Sequence, residues 1–346
     1  RRPFRMLAVG EGPTTCWSRS REKPAEVVID KRTGLPGYHM RVHGQVDQQR
    51  AGVWFVEQGT ESPQKRRLFG TCLCLDWAPD LRNGALSGWK VAVGCEDGNV
   101  SVIDSEMLVG EFPYEHPMRV SAVAWMPGRG THLATGCADH VVRIFNTATG
   151  ERVLRLQHLG PLRALSWHPE GTALVTGSND KIARIWSMAT GEQEGMLVHG
   201  DAVVCLAYSP DGSSIATGCA DRRVKLIDPN SGKKLLDFPH KDVVRALAWR
   251  PDGKKIATAC GDGFARVFDL LTGELDFQLR HGAEVTSVAW EAQSWRLATG
   301  CVDRCARVFE ATGGAEVQRL RFNHRVACVS WQPCLEAAEA PAAEAG

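Results

Sequence analysis

Eleven histidines and a regularly spaced series of aspartates are the groups in this chain whose types could do acid–base chemistry. A histidine beside a carboxylate is a common general-base pair. Here, however, His116, His158, His199, His240 and His281 recur at one slot, and each is followed by its own aspartate: Asp139, Asp180, Asp221, Asp262 and Asp303. A catalytic group is singular, whereas these return again and again along the chain. They are expected to hold structure together. The sequence has no glycine-rich phosphate loop between a strand and a helix, no HExxH and no GxSxG. No catalytic, cofactor-binding or metal-ligating residue is expected, and no cofactor.

The cysteines follow the same periodicity. Cys95, Cys137, Cys219, Cys260 and Cys301 each lie two residues before the aspartate slot, and Cys74, Cys205 and Cys328 share another slot. The same slots hold Ala, Ser or Gly elsewhere, which suits small-residue packing in a reducing compartment. Cys72/Cys74 and Cys301/Cys305 lack a second nearby ligand pair, which argues against zinc. A sharper alternative is a redox role for Cys205/Cys219 or Cys74/Cys95. Hairpin geometry predicts that each of these pairs lies directly opposite across two strands, at ~4.5–5.5 Å between Cβ atoms, longer than the ~3.5–4.5 Å of a relaxed disulfide.

Composition excludes several classes. Of 346 residues, 43% are apolar, enough for a packed core. The 41 Lys and Arg against 40 Asp and Glu give a formal charge of +1, so the broad basic excess of a nucleic-acid binder is missing. No apolar run approaches the ~18 residues of a membrane span. An intracellular, reducing and chiefly cytoplasmic location is expected, with nuclear or cytoskeletal alternatives.

The elements that must position these residues come from a repeat. "LVTGSNDKIARIWS" around Asp180 returns as "LATGCADHVVRIFN", "IATGCADRRVKLID", "IATACGDGFARVFD" and "LATGCVDRCARVFE", with a looser copy, "VAVGCEDGNVSVID", around Asp97. Successive aspartates are 42, 41, 41, 41 and 41 residues apart. Each unit reads as four short strands. In one unit "PLRALSW", "TALVTGS", "KIARIWS" and "QEGMLV" are strands a to d, punctuated by turns such as "HPEG", "SPDG" and "RPDG". Four strands at a period near 40 indicate an all-β propeller, one blade per unit.

The chain resembles the WD-repeat family over at least residues 68–334. In that family a His, a Ser or Thr, an Asp and a Trp form a hydrogen-bonded tetrad, and the third unit matches all four with His158, Thr176, Asp180 and Trp186. The resemblance implies that the chain turns at Asn179–Asp180 because Asp180 anchors this network. The other units keep His and Thr (Thr135, Thr217, Thr258, Thr299) but replace the Trp by Phe145, Ile227, Phe268 and Phe309. The first departs furthest, with Leu68, Val93 and Ile103, and its network is expected to be absent.

A seven-bladed ring of four-stranded antiparallel blades is therefore expected within a single domain, 1–334. Regular blades run over 68–115, 116–157, 158–198, 199–239, 240–280 and 281–321, followed by an Ala/Glu-rich tail, 335–346. The closing blade is expected to be shared between the termini, from about 4–44 and 322–334. In it "RVACVSWQP" supplies strand a, and "FRMLAVGEG" (4–12), "EVVIDKRTG" (26–34) and "YHMRVHG" (38–44) supply the rest. Alternatively 51–69 supply the closing strands and 1–44 lie outside. An eighth blade is the third arrangement.

The b–c turns and the approaches to strand a share one rim, which the resemblance marks as the partner-docking face. His140, Lys181, Arg222 and Arg304 follow the aspartate slot, and Arg119, Lys241 and Arg325 lie on the approaches. They form a candidate partner-binding rim for acidic peptides, although Asp201, Asp242 and Glu284 share the face. The function the resemblance implies is a non-catalytic protein–protein interaction scaffold or adaptor. The alternatives are the sensing or substrate-receptor propeller of a larger enzyme or multi-subunit complex, and a nucleic-acid-binding propeller, against which the charge balance argues.

Overall fold

A computed structural model describes residues 6–12, 50–55, 66–67, 71–82, 85–104, 110–128, 130–292 and 296–331. The repeat unit folds into a four-stranded antiparallel blade, as in the third: a (Leu162–Trp167), b (Ala173–Ser178), c (Ile182–Ser187) and d (Gln193–Val198). Strands b and c are buried almost throughout because both faces of each blade are covered by neighbouring blades, whereas d, the outer strand, alternates with solvent. Strand a carries a bulge near its start, between Leu162 and Ala164, which adds local twist where the ring is tightest.

Each turn has a fixed cause. The c–d turn carries a glycine in the left-handed region, Gly150, Gly191, Gly232 and Gly273 with φ 66–75°. A residue with a Cβ is strained there. In the b–c turn Asp180 Oδ1 accepts from the Ile182 amide at 3.1 Å, and the intervening Lys181 is forced to φ 69°.

Five junctions between neighbouring blades are stapled together by a Trp that ends strand a, while the Trp290 Nε1 is buried without a partner among the described residues. The indole Nε1–H donates to a backbone carbonyl of the preceding blade: Trp125 to Asp76 at 3.2 Å, Trp167 to Ala124 at 3.0 Å and Trp249 to Ala207 at 3.1 Å. Trp331 reaches Ala289 at 3.1 Å and Trp77 reaches Ser330 at 3.4 Å. Small residues at four of these five positions, Ala124, Ala207, Ala289 and Ser330, suit the large indole, which packs and hydrogen-bonds at once.

The strand order corrects the expected seven-bladed ring. Six blades are complete and continuous in the chain, from Cys72–Arg82 to Glu316–Arg321. The remaining sheet is built differently from the closing blade expected from 4–44 and 322–334. Its order is Arg325–Trp331, Met6–Gly12, Arg50–Phe55, then a two-residue strand, Arg66–Arg67. The third and fourth positions are thus filled by 50–55 and 66–67, not by 26–34 and 38–44, which lie outside the described residues, as does the tail 335–346. "EVVIDKRTG" imitates strand c and its turn locally, but sheet membership is decided by pairing with Met6–Gly12. "RAGVWF" makes that pairing, with Leu7 opposite Trp54 and Ala8 opposite Val53. The inner strand of this sheet packs against strand a of both the first and the sixth blade, so the chain ends close the ring.

Candidate functional site

Inside each of the second to sixth blades the histidine Nε2 meets the threonine hydroxyl. His116–Thr135, His158–Thr176 and His281–Thr299 are at 2.8 Å, and His199–Thr217 and His240–Thr258 at 2.9 Å. In four of them Nδ1 lies 3.0–3.2 Å from the carbonyl two residues back. A carbonyl only accepts, so Nδ1 carries the proton and Nε2 takes the hydroxyl's. Burial holds all five imidazoles below their ordinary pKa, His158 and His281 down to about 4, where Arg184 and Arg307 add to the effect. These are neutral core histidines.

Trp186 completes the line in the third blade by donating to Thr176 Oγ1 at 3.0 Å. Where Phe replaces it, the ring packs on the histidine instead, edge to face for His116–Phe145, His240–Phe268 and His281–Phe309. In the first blade Val93 and Ile103 are core residues, and Leu68 lies outside the described residues.

Asp180 has other partners than the histidine. Its carboxylate accepts from the amides of Ile182 and Leu159 and from Arg184 Nη1 at 2.8 Å. The same aspartate–cation pair, four residues apart, recurs as Asp139–Arg143, Asp221–Lys225, Asp262–Arg266 and Asp303–Arg307. Hydrogen bonds from the arginine and the turn amide help hold Asp139, Asp262 and Asp303 below the usual carboxylate range, against the opposing pull of burial. The D-x-x-x-R/K spacing was visible in every one of these units and was missed.

The cysteine slots are out of step with the expected cross-strand pairs. The bulge in strand a places Cys205 opposite Gly218 and Cys219 opposite Val203; likewise Cys74 faces Gly94, and Cys95 faces Cys72. Cys72 Sγ instead lies 3.9 Å from Cys328 Sγ, across the junction that closes the ring. The ten described cysteines are free thiols. Burial pushes Cys219 up to about 12 and Cys301 to about 11. Among the described residues no group of three His, Cys, Asp or Glu side chains could hold a metal ion, and no helix is long and apolar enough to cross a membrane.

His140, Lys181, Arg222 and Arg304 occupy one geometric position, the residue after the anchor aspartate, with φ 65–69°. They are the only non-glycine residues in the left-handed region among those described. Gly98 and Gly263 hold the same position in the first and fifth blades. Lys181, Arg222, Arg304, Arg119 and Lys241 are exposed and Arg325 half-buried.

The ring's centre opens on this rim as a concavity of about 310 Å³. Arg163, Arg245 and Arg325 line it with Glu284, Ser121 and Thr286. Arg163 and Arg245 come from the second residue of strand a, the position whose side chain points down the channel; the sequence reading did not single them out. Glu284 is ion-paired with Arg245. The Ser121 and Thr286 hydroxyls donate to the Leu162 and Val326 carbonyls, which leaves the guanidiniums as the donors facing solvent. Arg163 Nε donates to Asn179 at 2.9 Å, and its pKa is lowered by burial and by the neighbouring Arg119 and Arg245.

Comparison with protein families matches the "WD domain, G-beta repeat" over residues 108–146, 150–187 and 191–228, and the "Anaphase-promoting complex subunit 4 WD40 domain" over 237–291. The chain belongs to the WD-repeat family. Each of the three repeats takes its first strand from strand d of one blade and the rest from a to c of the next: 150–187 spans Arg152–Gln157 and ends on Ser187. Propellers of this family generally bind protein partners and are typically non-catalytic.

Proposed function

We propose that the protein is a non-catalytic interaction scaffold that docks acidic segments of partner proteins on the rim of the b–c turns. The observation that carries this reading is the identity of the four strained residues. A side chain in the left-handed region costs about 1 kcal/mol where glycine would cost nothing, and all four described exceptions to glycine are His, Lys or Arg on one face. Strain retained at such a position is a pointer to function. A rigid closed ring suits recognition because little order has to be created on binding. Free, buried thiols favour a reducing, cytoplasmic setting.

The test is affinity purification with quantitative mass spectrometry, using the intact chain beside a variant carrying Lys181→Glu, Arg222→Glu, Lys241→Glu and Arg304→Glu. Partners enriched with acidic segments should be held by the parent and lost from the variant. An unchanged partner set would remove the rim from the reading. A second reading, a propeller subunit within a multi-subunit assembly, is favoured by the match at 237–291 to a domain named for such a complex. It would show as co-migration of the chain with a large assembly on native size fractionation.

A further inference from the structure

The central mouth differs from the rim around it. Rim cations stand singly on separate turns, whereas Arg163, Arg245 and Arg325 converge on one concavity against a single carboxylate, Glu284. Three positive charges and one negative leave a surplus of two. Arg325 has no carboxylate partner among the described residues, and neither has Arg119, a neighbour of Arg163. Crowding like charges costs free energy, so an arrangement of this kind marks a place where a compensating anion is to arrive.

We propose that the mouth is a phosphate-binding site that receives a phosphorylated side chain of a partner protein; the partner class rests on the scaffold reading above. A phosphomonoester carries about −1.5 to −2 at neutral pH and three acceptor oxygens, which matches a surplus of two charges presented by planar guanidiniums. A carboxylate would neutralise only half of it. Nucleic acid fits poorly, because its affinity comes from many phosphates along a broad basic surface, and the chain's formal charge is only +1. An extended protein segment fits better. Leu159 and Met118, 80% and 52% exposed, stand on the approaches to strand a beside Arg163 and Arg119, and give apolar footing to residues flanking the phosphate.

The test uses degenerate peptide libraries with a fixed central phosphoserine, serine or glutamate, retained on the immobilised full chain, with inorganic phosphate and a short single-stranded oligonucleotide as competitors. The phosphoserine library should be retained at least tenfold more than either other library. Arg163→Gln and Arg325→Gln should each lower that retention about tenfold without lowering the melting temperature, and Arg163→Lys should restore part of it. Lys233→Glu, beside the c–d turn on the opposite rim, should change it less than threefold. Equal retention of the serine or glutamate library, or full retention by both Gln variants, overturns the proposal. So does competition by the oligonucleotide well below the concentration of phosphate needed. Loss of phosphoserine preference with lysate partners still bound through Lys181 and Arg222 would sink the phosphate site and leave the scaffold standing; the converse would sink the rim.

Discussion

Arg184 Nη1 lies 2.8 Å from Asp180 Oδ2, with the two side chains 7% and 9% exposed. The anchor aspartate of the third blade therefore serves the turn and a buried cation, and the histidine line runs beside it. Removing one partner of such a pair leaves the other charged and unsolvated. Asp180→Ala is expected to destabilise the protein by about 3–5 kcal/mol in denaturant titration. The double variant Asp180→Ala with Arg184→Leu should recover a large part of that loss. Additive losses would mean the pair is not coupled.

Replacing a strained residue by glycine tests the rim turns from the other direction. Lys181→Gly, Arg222→Gly and Arg304→Gly should each stabilise the fold by about 0.5–1 kcal/mol, because φ 65–69° is free of strain without a Cβ. Gly98→Ala should do the reverse, since its Cβ would sit 2.4 Å from the His116 carbonyl oxygen. Differential scanning calorimetry of the four variants decides it, and a lowered melting temperature in the glycine variants would count against the strain argument.

Acid should unfold the propeller early. The five core histidines have folded pKa values below the ordinary 6.5 because burial penalises the charged ring. An unfolded chain binds protons as the pH falls through 6.5 while the folded chain does not, so stability is full above that value and is lost on the way down to the folded pKa. His158 and His281, at about 4, each account for about 3 kcal/mol over that window. The free energy of unfolding, followed by denaturant titration between pH 7 and 4, should fall steeply. His158→Gln, which takes no proton, should flatten the curve.

Thiol chemistry should report unfolding. With Cys219 at about 12 and Cys301 at about 11, and Cys74 and Cys205 also raised by burial, an aromatic disulfide reagent at pH 8 should react slowly with these four thiols in the native protein and fully in denaturant. Rapid native labelling at Cys205, Cys219 or Cys301, mapped by peptide mass, would contradict the packing. Of the pairs considered, mild oxidation should join Cys72 to Cys328 in preference to Cys205 to Cys219, whose register is broken by the bulge.

How much of this was legible beforehand depends on whether the information is local. The period, the turns and the positions of His158, Thr176, Asp180 and Trp186 repeat along the chain and can be read off directly. Arg184 was just as visible, four residues after Asp180, but a resemblance already supplied the aspartate with a partner and the second one was not sought. Arg163 and Arg245 were harder. Their importance comes from six strands converging on one axis, and in their own strands they look like ordinary exposed arginines. The closing sheet was hardest, because repeat arithmetic ends at an insertion. Between Gly12 and Arg50 only the pairing partner decides which apolar run joins the sheet, and Met6–Gly12 is chosen by a strand at the far end of the chain.

That last dependence sets a clock. Met6–Gly12 precedes the other described strands in the chain, whereas its inner neighbour, Arg325–Trp331, follows all of them. At ~5–20 residues per second the first strand waits on the order of 15–65 s with an unpaired edge exposed. The six continuous blades can assemble one after another during that interval, but the ring is sealed only once Arg325–Trp331 has been made. Until that moment one strand of the closing sheet stands without its inner partner.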